Sequence, residues 1–259
     1  ELSITGSAKA SYSVASSDGV NADIEQGKGL GVSNEFTLSA SGELDNGMTW
    51  SYAQDIDNAT VQDDGKLTLT TDFGTLGVFI SEGGLDVDNA ASQSVLARPS
   101  DTSFGESMVD SWDLSGMNTL QYHTPAGMLP FGAQVKLGYV PDMNDTTMLS
   151  AKESNSNPAS QATGRNLTQI QVSMAPIDGL TIKGSAAETS NSTGTSGPGG
   201  KEQGVSANLG ASYTMGPVSV GYVEGGYQPA VASGEITYYE NKFMGIQFDI
   251  NDSISVSYN

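Results

Sequence analysis

The stretch LSITGSAKASYSV, residues 2–14, alternates residue by residue. Leu2, Ile4, Gly6, Ala8, Ala10, Tyr12 and Val14 share one parity, and Ser3, Thr5, Ser7, Lys9, Ser11 and Ser13 share the other. Side chains of an extended chain point alternately to opposite faces, so the spacing predicts a strand with one apolar and one polar face. Two architectures use such a strand in opposite senses. A soluble sandwich buries the apolar face in a core, whereas an outer-membrane barrel turns it to lipid and lines water with the polar face.

The same comb recurs down the chain. Phe36, Leu38, Ala40, Gly42 and Leu44 precede Asp45-Asn46-Gly47, a hairpin signal, and Met48, Trp50 and Tyr52 follow it. Leu67, Leu69, Thr71 and Phe73 lead through Gly74 to Leu76, Val78 and Ile80. Further sets are Leu120 and Tyr122; Phe131 to Tyr139; Ile170 to Met174; Leu180 to Ala186; Val205 to Met215; Val218 to Tyr222; Met244 to Ile250; and Ile254 to Tyr258. Thirteen strands are expected, and these apolar positions contain no charged residue. Connections alternate between short ones, such as Met215-Gly216-Pro217, and long ones spanning 15–29, 57–65, 82–117, 141–164, 187–204 and 224–241. An up-and-down barrel with one end of turns and one of loops has that rhythm, and a Greek-key sandwich does not. The apolar comb is therefore expected to face lipid. Tyr12, Phe36, Trp50, Phe73, Tyr122, Phe131, Tyr139, Tyr213, Tyr222 and Tyr258 lie on the apolar parity, most near strand ends as interfacial girdles require.

Composition narrows the function classes. The chain has 259 residues, 10 Lys plus Arg against 30 Asp plus Glu, and a formal net charge of −20. Such a surface repels nucleic acid. Charged residues make up only 15% of the chain, and with strong apolar alternation this argues for folding rather than disorder. There is no cysteine, and the start lacks a basic segment followed by an apolar one, so the chain reads as a mature envelope protein. The longest clean apolar run, Leu76 to Ile80, is far short of the roughly 20 residues of a transmembrane helix, yet a barrel strand needs only about 10 alternating ones.

In this order of features the chain resembles the general, trimeric porins of Gram-negative bacteria, in pattern the acidic porins of alphaproteobacteria above all. The stretches that carry the resemblance are LSITGSAKASYSV (2–14), FTLSASGELDNGMTWSYAQ (36–54), GKLTLTTDFGTLGVFISEGG (65–84) and NTLQYHTPAGMLPFGAQVKLGYV (118–140). The resemblance implies one domain over residues 1–259, an all-β transmembrane antiparallel barrel of about sixteen strands with an aqueous channel. Closure of a bacterial barrel needs an even strand number, so the chain is expected to lack about three C-terminal strands. The resemblance also implies a homotrimer in outer-membrane lipid and lipopolysaccharide, with small hydrophilic solutes as cargo and long loops open to phage or other surface ligands.

In such porins the third long loop folds into the lumen and sets the constriction. Here it is 82–117, and the acidic residues assigned to the constriction are Asp86, Asp88, Asp101, Glu106, Asp110 and Asp113. Parity places Lys9, Lys66, Lys136 and Lys183 inward as a basic wall, together with the acidic Glu35, Glu43, Asp55 and Asp72. A field between acidic loop and basic wall orients dipolar solutes, and the excess of acid predicts cation preference. No cofactor is required. Ca²⁺ is considered at Asp86 and Asp88 and at Asp142 and Asp145, although no EF-hand spacing exists and solvated loop acids explain the residues equally well. His123 is the sole histidine, which leaves transition-metal ligation and a hydrolytic triad poorly supplied, and it reads as a polar lining residue. The expected function is passive diffusion through a pore without catalysis. The alternative is a secreted or surface-exposed all-β adhesin or binding protein without channel activity, whose loops carry recognition.

Overall fold

The alternating segments form strands, and each strand pairs with its neighbours in sequence. The computed structural model describes residues 2–14, 28–57, 64–80, 83–85, 87, 117–141, 166–189, 204–228, 239–251 and 254–258. Thirteen antiparallel strands make one up-and-down sheet in chain order. They are β1 (Leu2–Val14), β2 (Lys28–Glu43), β3 (Thr49–Asp57), β4 (Gly65–Thr71), β5 (Gly74–Ile80), β6 (Thr119–His123) and β7 (Gln134–Val140). The series continues with β8 (Leu167–Ile177), β9 (Leu180–Thr189), β10 (Val205–Met215), β11 (Val218–Gln228), β12 (Tyr239–Asn251) and β13 (Ile254–Tyr258). Among the described residues the only helical element is a 3₁₀ turn at Pro130–Gly132.

The sheet is inside out by the standards of a soluble protein. Its polar parity is buried: Gln121 is 1% exposed and Asn208 6%. Its apolar parity faces outward: Leu209 is 62% exposed and Met244 69%. A contiguous apolar surface of this extent has no stable home in water, and lipid supplies one. On the inner face, cross-strand hydroxyls satisfy each other. Ser3 with Ser39 (2.7 Å), Ser51 with Thr68 (2.6 Å), Thr70 with Thr75 (3.0 Å) and Thr214 with Ser219 (2.9 Å) bond at directly opposed register positions. Such facing pairs are the unit of sheet stabilisation.

Short turns close one end. Leu44 N donates to Met48 O at 2.8 Å, and the Asn46 side chain accepts from Met48 N at 3.2 Å. The alternation ending at Met174 and resuming at Leu180 predicts a turn of Ala175-Pro176-Ile177-Asp178-Gly179, but the turn is Asp178-Gly179 alone, because β8 continues through a register shift between Met174 and Ile177. Pro176 lies within that shift, where the missing N–H costs no ladder bond. Gly179 has φ +77°, and a Cβ there would collide with the Thr214 carbonyl, so the turn requires glycine.

Other boundaries also differ from the sequence reading, and β9 runs to Thr189, into the expected connection 187–204. β7 begins at Gln134 instead of Phe131, since Pro130 starts the 3₁₀ turn and Phe131 takes φ +60°. β11 extends past Tyr222 to Gln228, and β12 begins at Tyr239. The outward parity therefore does carry charge at the long-connection end: Glu188, Glu224, Glu240 and Lys242 are exposed there. Hydrogen-bonded pairing needs no membrane and runs on past the apolar band. Lys242 Nζ lies 3.0 Å from Glu224 Oε1, and Tyr222 Oη donates to Glu224 Oε2 at 2.7 Å.

Outward aromatics mark the rims. Trp50 lays its indole over Gly42, and Tyr122 Oη donates to the Phe73 carbonyl at 2.5 Å in the turn between β4 and β5. An apolar ring with a bonded polar tip is the chemistry of an interfacial aromatic.

Candidate functional site: the inner wall

The chain leaving β5 turns onto the inner face. Gly83 and Leu85 are fastened there through their carbonyls: Gln121 Nε2 of β6 donates to Gly83 O at 2.6 Å, and Gln171 Nε2 of β8 donates to Leu85 O at 2.8 Å. Both glutamines are buried on the polar parity. The Gly83 backbone has φ +87°, and a Cβ would stand 2.8 Å from both Gln121 Nε2 and Phe79 Cδ1. Glycine is demanded by conformation and by space. Leu85 then packs with Met117, Val140, Leu167, Ala187 and Tyr227, a small apolar cluster inside the sheet. Burying these residues contributes about 1.5–3 kcal/mol for each large side chain. The two ends of the 82–117 segment thus meet one internal cluster through Leu85 and Met117.

Below that cluster the wall is polar and basic. Gln121 also donates to Thr119 Oγ1 at 3.0 Å, which leaves its Oε1 to accept from His123 Nε2 at 2.8 Å. With the Gln121 amide so oriented, a proton sits on His123 Nε2. The imidazole leans on the Phe79 ring, centroids 5.8 Å apart. His123 stands directly opposite Lys136 of β7, Lys136 opposite Gln171 of β8, and Ser173 of β8 opposite Lys183 of β9. The charges of Lys136 and Lys183 act on one another.

The residues singled out in the sequence fall as follows. Lys66 is inward on β4, opposite Phe79 and Ala53. Lys136 and Lys183 come together, and Lys66 joins the same face two strands from His123. Lys9 holds a register position in β1 opposite Ser33, and Glu35 one in β2 opposite Ser7 and Asp57. Asp55 is inward on β3 opposite Thr37, with its Oδ1 buried and without a hydrogen bond among the described residues. Glu43 ends β2 opposite Thr49 and is exposed, and Asp72 is exposed in the turn after β4. Asp86, Asp88, Asp101, Glu106, Asp110, Asp113, Asp142 and Asp145 lie outside the described residues. No group of three or more candidate metal ligands occurs among the described residues.

Sequence reasoning missed Gln121 and Gln171. Their signal was present, since each is a long amide on the polar parity of a strand, but parity alone cannot tell a clamp from a lining group.

No family model and no curated protein matches the chain. Solved structures do. A porin refined at 1.8 Å resolution aligns with 99% of this chain and 82% of its own at 12% identity and TM-score 0.57. The anion-selective porin from Comamonas acidovorans aligns with 100% of this chain and 78% of its own at 15% identity and TM-score 0.57. With an up-and-down sheet, a polar inner face and an apolar outer one, the chain has the fold of the bacterial porins.

Proposed function

We propose that the protein is an outer-membrane channel of a Gram-negative bacterium, through which small hydrophilic solutes and ions diffuse passively. The observation that carries this reading is the inverted sheet, with buried Gln121 and Asn208 on one face and exposed Leu209 and Met244 on the other. Polar groups that line water cost nothing to hydrate, and an apolar exterior is stable only against lipid. The segment fastened to Gln121 and Gln171 narrows the passage from within. Passage is then governed by width and wall charge, with no covalent step. The reading includes a homotrimer in lipid and lipopolysaccharide, as the porin pattern implies. The secreted-adhesin alternative needs a cover for the whole apolar face, and the sheet offers none among the described residues.

Single-channel recording in planar bilayers of KCl tests the proposal. Discrete ohmic steps from detergent-purified protein are expected. Protein that stays dispersed without detergent and produces no steps would overturn it.

A further inference from the structure

Two lysines straddle β8. Lys136 of β7 is opposite Gln171, and Lys183 of β9 is opposite Ser173. Neighbouring strands lie about 4.8 Å apart and successive residues rise about 3.4 Å, so two backbones that are two strands and two residues apart are separated by about 12 Å, and the two charges act on one another across β8. Ser173 lies on the inward parity of the intervening strand, half-buried, opposite Gln134 and Lys183. His123 borders Lys136 on the far side. Neither lysine has a carboxylate within ion-pair distance among the described residues, and the Lys242–Glu224 ion pair lies on the outer face.

Lys136 is half-buried and Lys183 exposed, and two like charges brought to one patch of wall repel, so a neutral residue at either place would remove the repulsion. An anion removes it too and gains two charge-assisted hydrogen bonds. The chain has only 10 basic residues against 30 acidic ones, so adjacency of two on one patch of wall is not the outcome of abundance. The cation preference expected from net charge has no support in this wall.

We propose that Lys136, Lys183 and the Ser173 hydroxyl form a binding subsite for small oxyanions of the phosphate or carboxylate class. Solutes occupy it on their way through the channel. The two ammonium groups hold the anionic oxygens, the hydroxyl donates a third hydrogen bond, and His123 confines the site on the β6 side. The proposal rests on the channel reading for the route by which ligand arrives. It predicts conductance that saturates with such an anion rather than rising in proportion to it.

The test has two arms. In the first, the detergent-purified protein is acetylated with an amine reagent, with inorganic phosphate or with chloride at equal ionic strength, and the rate at each lysine is read by mass spectrometry. Phosphate at about ten times its dissociation constant is expected to slow Lys136 and Lys183 about tenfold and leave Lys66 unchanged. Equal slowing at all three lysines, or none, would overturn the subsite. In the second arm, the Lys136→Gln, Lys183→Gln double variant is recorded in bilayers. Loss of phosphate saturation with a reversal potential moved toward the cation supports the subsite, and unchanged saturation overturns it. Unaltered heat-modifiable migration of the variant on gels establishes that it folds. Channels without lysine protection sink the subsite and leave the channel standing, and protection without channels does the reverse.

Discussion

The side-chain amide of Gln121 donates to the main-chain carbonyl of Gly83 at 2.6 Å, across the foot of the segment that leaves β5. The same amide group accepts from His123, so one side chain ties the inward segment to the basic wall. Replacing it with leucine keeps the volume and strands the Gly83 carbonyl. Loss of such a buried bond costs about 1–3 kcal/mol. Gln121→Leu is expected to raise open-channel current noise and the frequency of brief closures in bilayer recordings, while heat-modifiable migration stays near that of the parent. A quiet channel would show that the segment is held elsewhere.

Gly179→Ala places a Cβ against the Thr214 carbonyl at a backbone φ of +77°. Strain of this kind costs about 1–3 kcal/mol. The transition from folded to unfolded gel mobility is expected at lower temperature. The same substitution at Gly127, which also has positive φ but open space around it, should move that transition less.

The two faces of the sheet predict opposite tolerance of charge. Leu137 is an outward residue at the middle of β7, and Thr181 points inward on β9. Leu137→Arg is expected to lower folding stability in lipid vesicles by about 2–4 kcal/mol, the range for arginine near a bilayer midplane. Thr181→Arg should leave stability within about 0.5 kcal/mol, as for substitutions away from packed groups. Equal effects would mean that lipid does not cover the outer face.

Trp50 offers an optical reading of depth. The chain has two tryptophans, so Trp112→Phe isolates it. Lying outward over Gly42, near the turn end, its fluorescence is expected to be quenched by lipids brominated near the headgroup and little affected by lipids brominated deep in the chain or by aqueous acrylamide. Strong acrylamide quenching would remove Trp50 from the interface.

Much of this architecture was legible because period-two alternation acts over every strand and lipid enforces it. Leu2, Leu69, Leu137 and Met244 announce their face by composition alone. Legibility failed where that pressure ends. Val140, Leu167, Val223 and Tyr227 are apolar yet buried inside near the long-connection end, so parity there no longer separates polar from apolar. Glu224 and Lys242 carry the outward parity beyond the apolar band, where charge reads as loop although pairing continues. In the site, the inward lysines were readable one by one, but the approach of Lys136 to Lys183 depends on strand register, which alternation does not fix.

The meander also orders events in time. Its ladders join consecutive strands, as β1 to β2 and β5 to β6, so the wall can grow hairpin by hairpin. The bond from Gln171 to Leu85 spans 86 residues, so the Leu85 carbonyl has no Gln171 donor until β8 is laid down. Gly83 can be held as soon as β6 brings Gln121, but the fastening of Leu85 comes late, on a wall already several strands wide. Hydrogen exchange pulsed during refolding into detergent should protect the β4–β5 ladder amides before the apolar cluster around Leu85 closes, and the reverse order would show that the segment templates the sheet instead of being received by it.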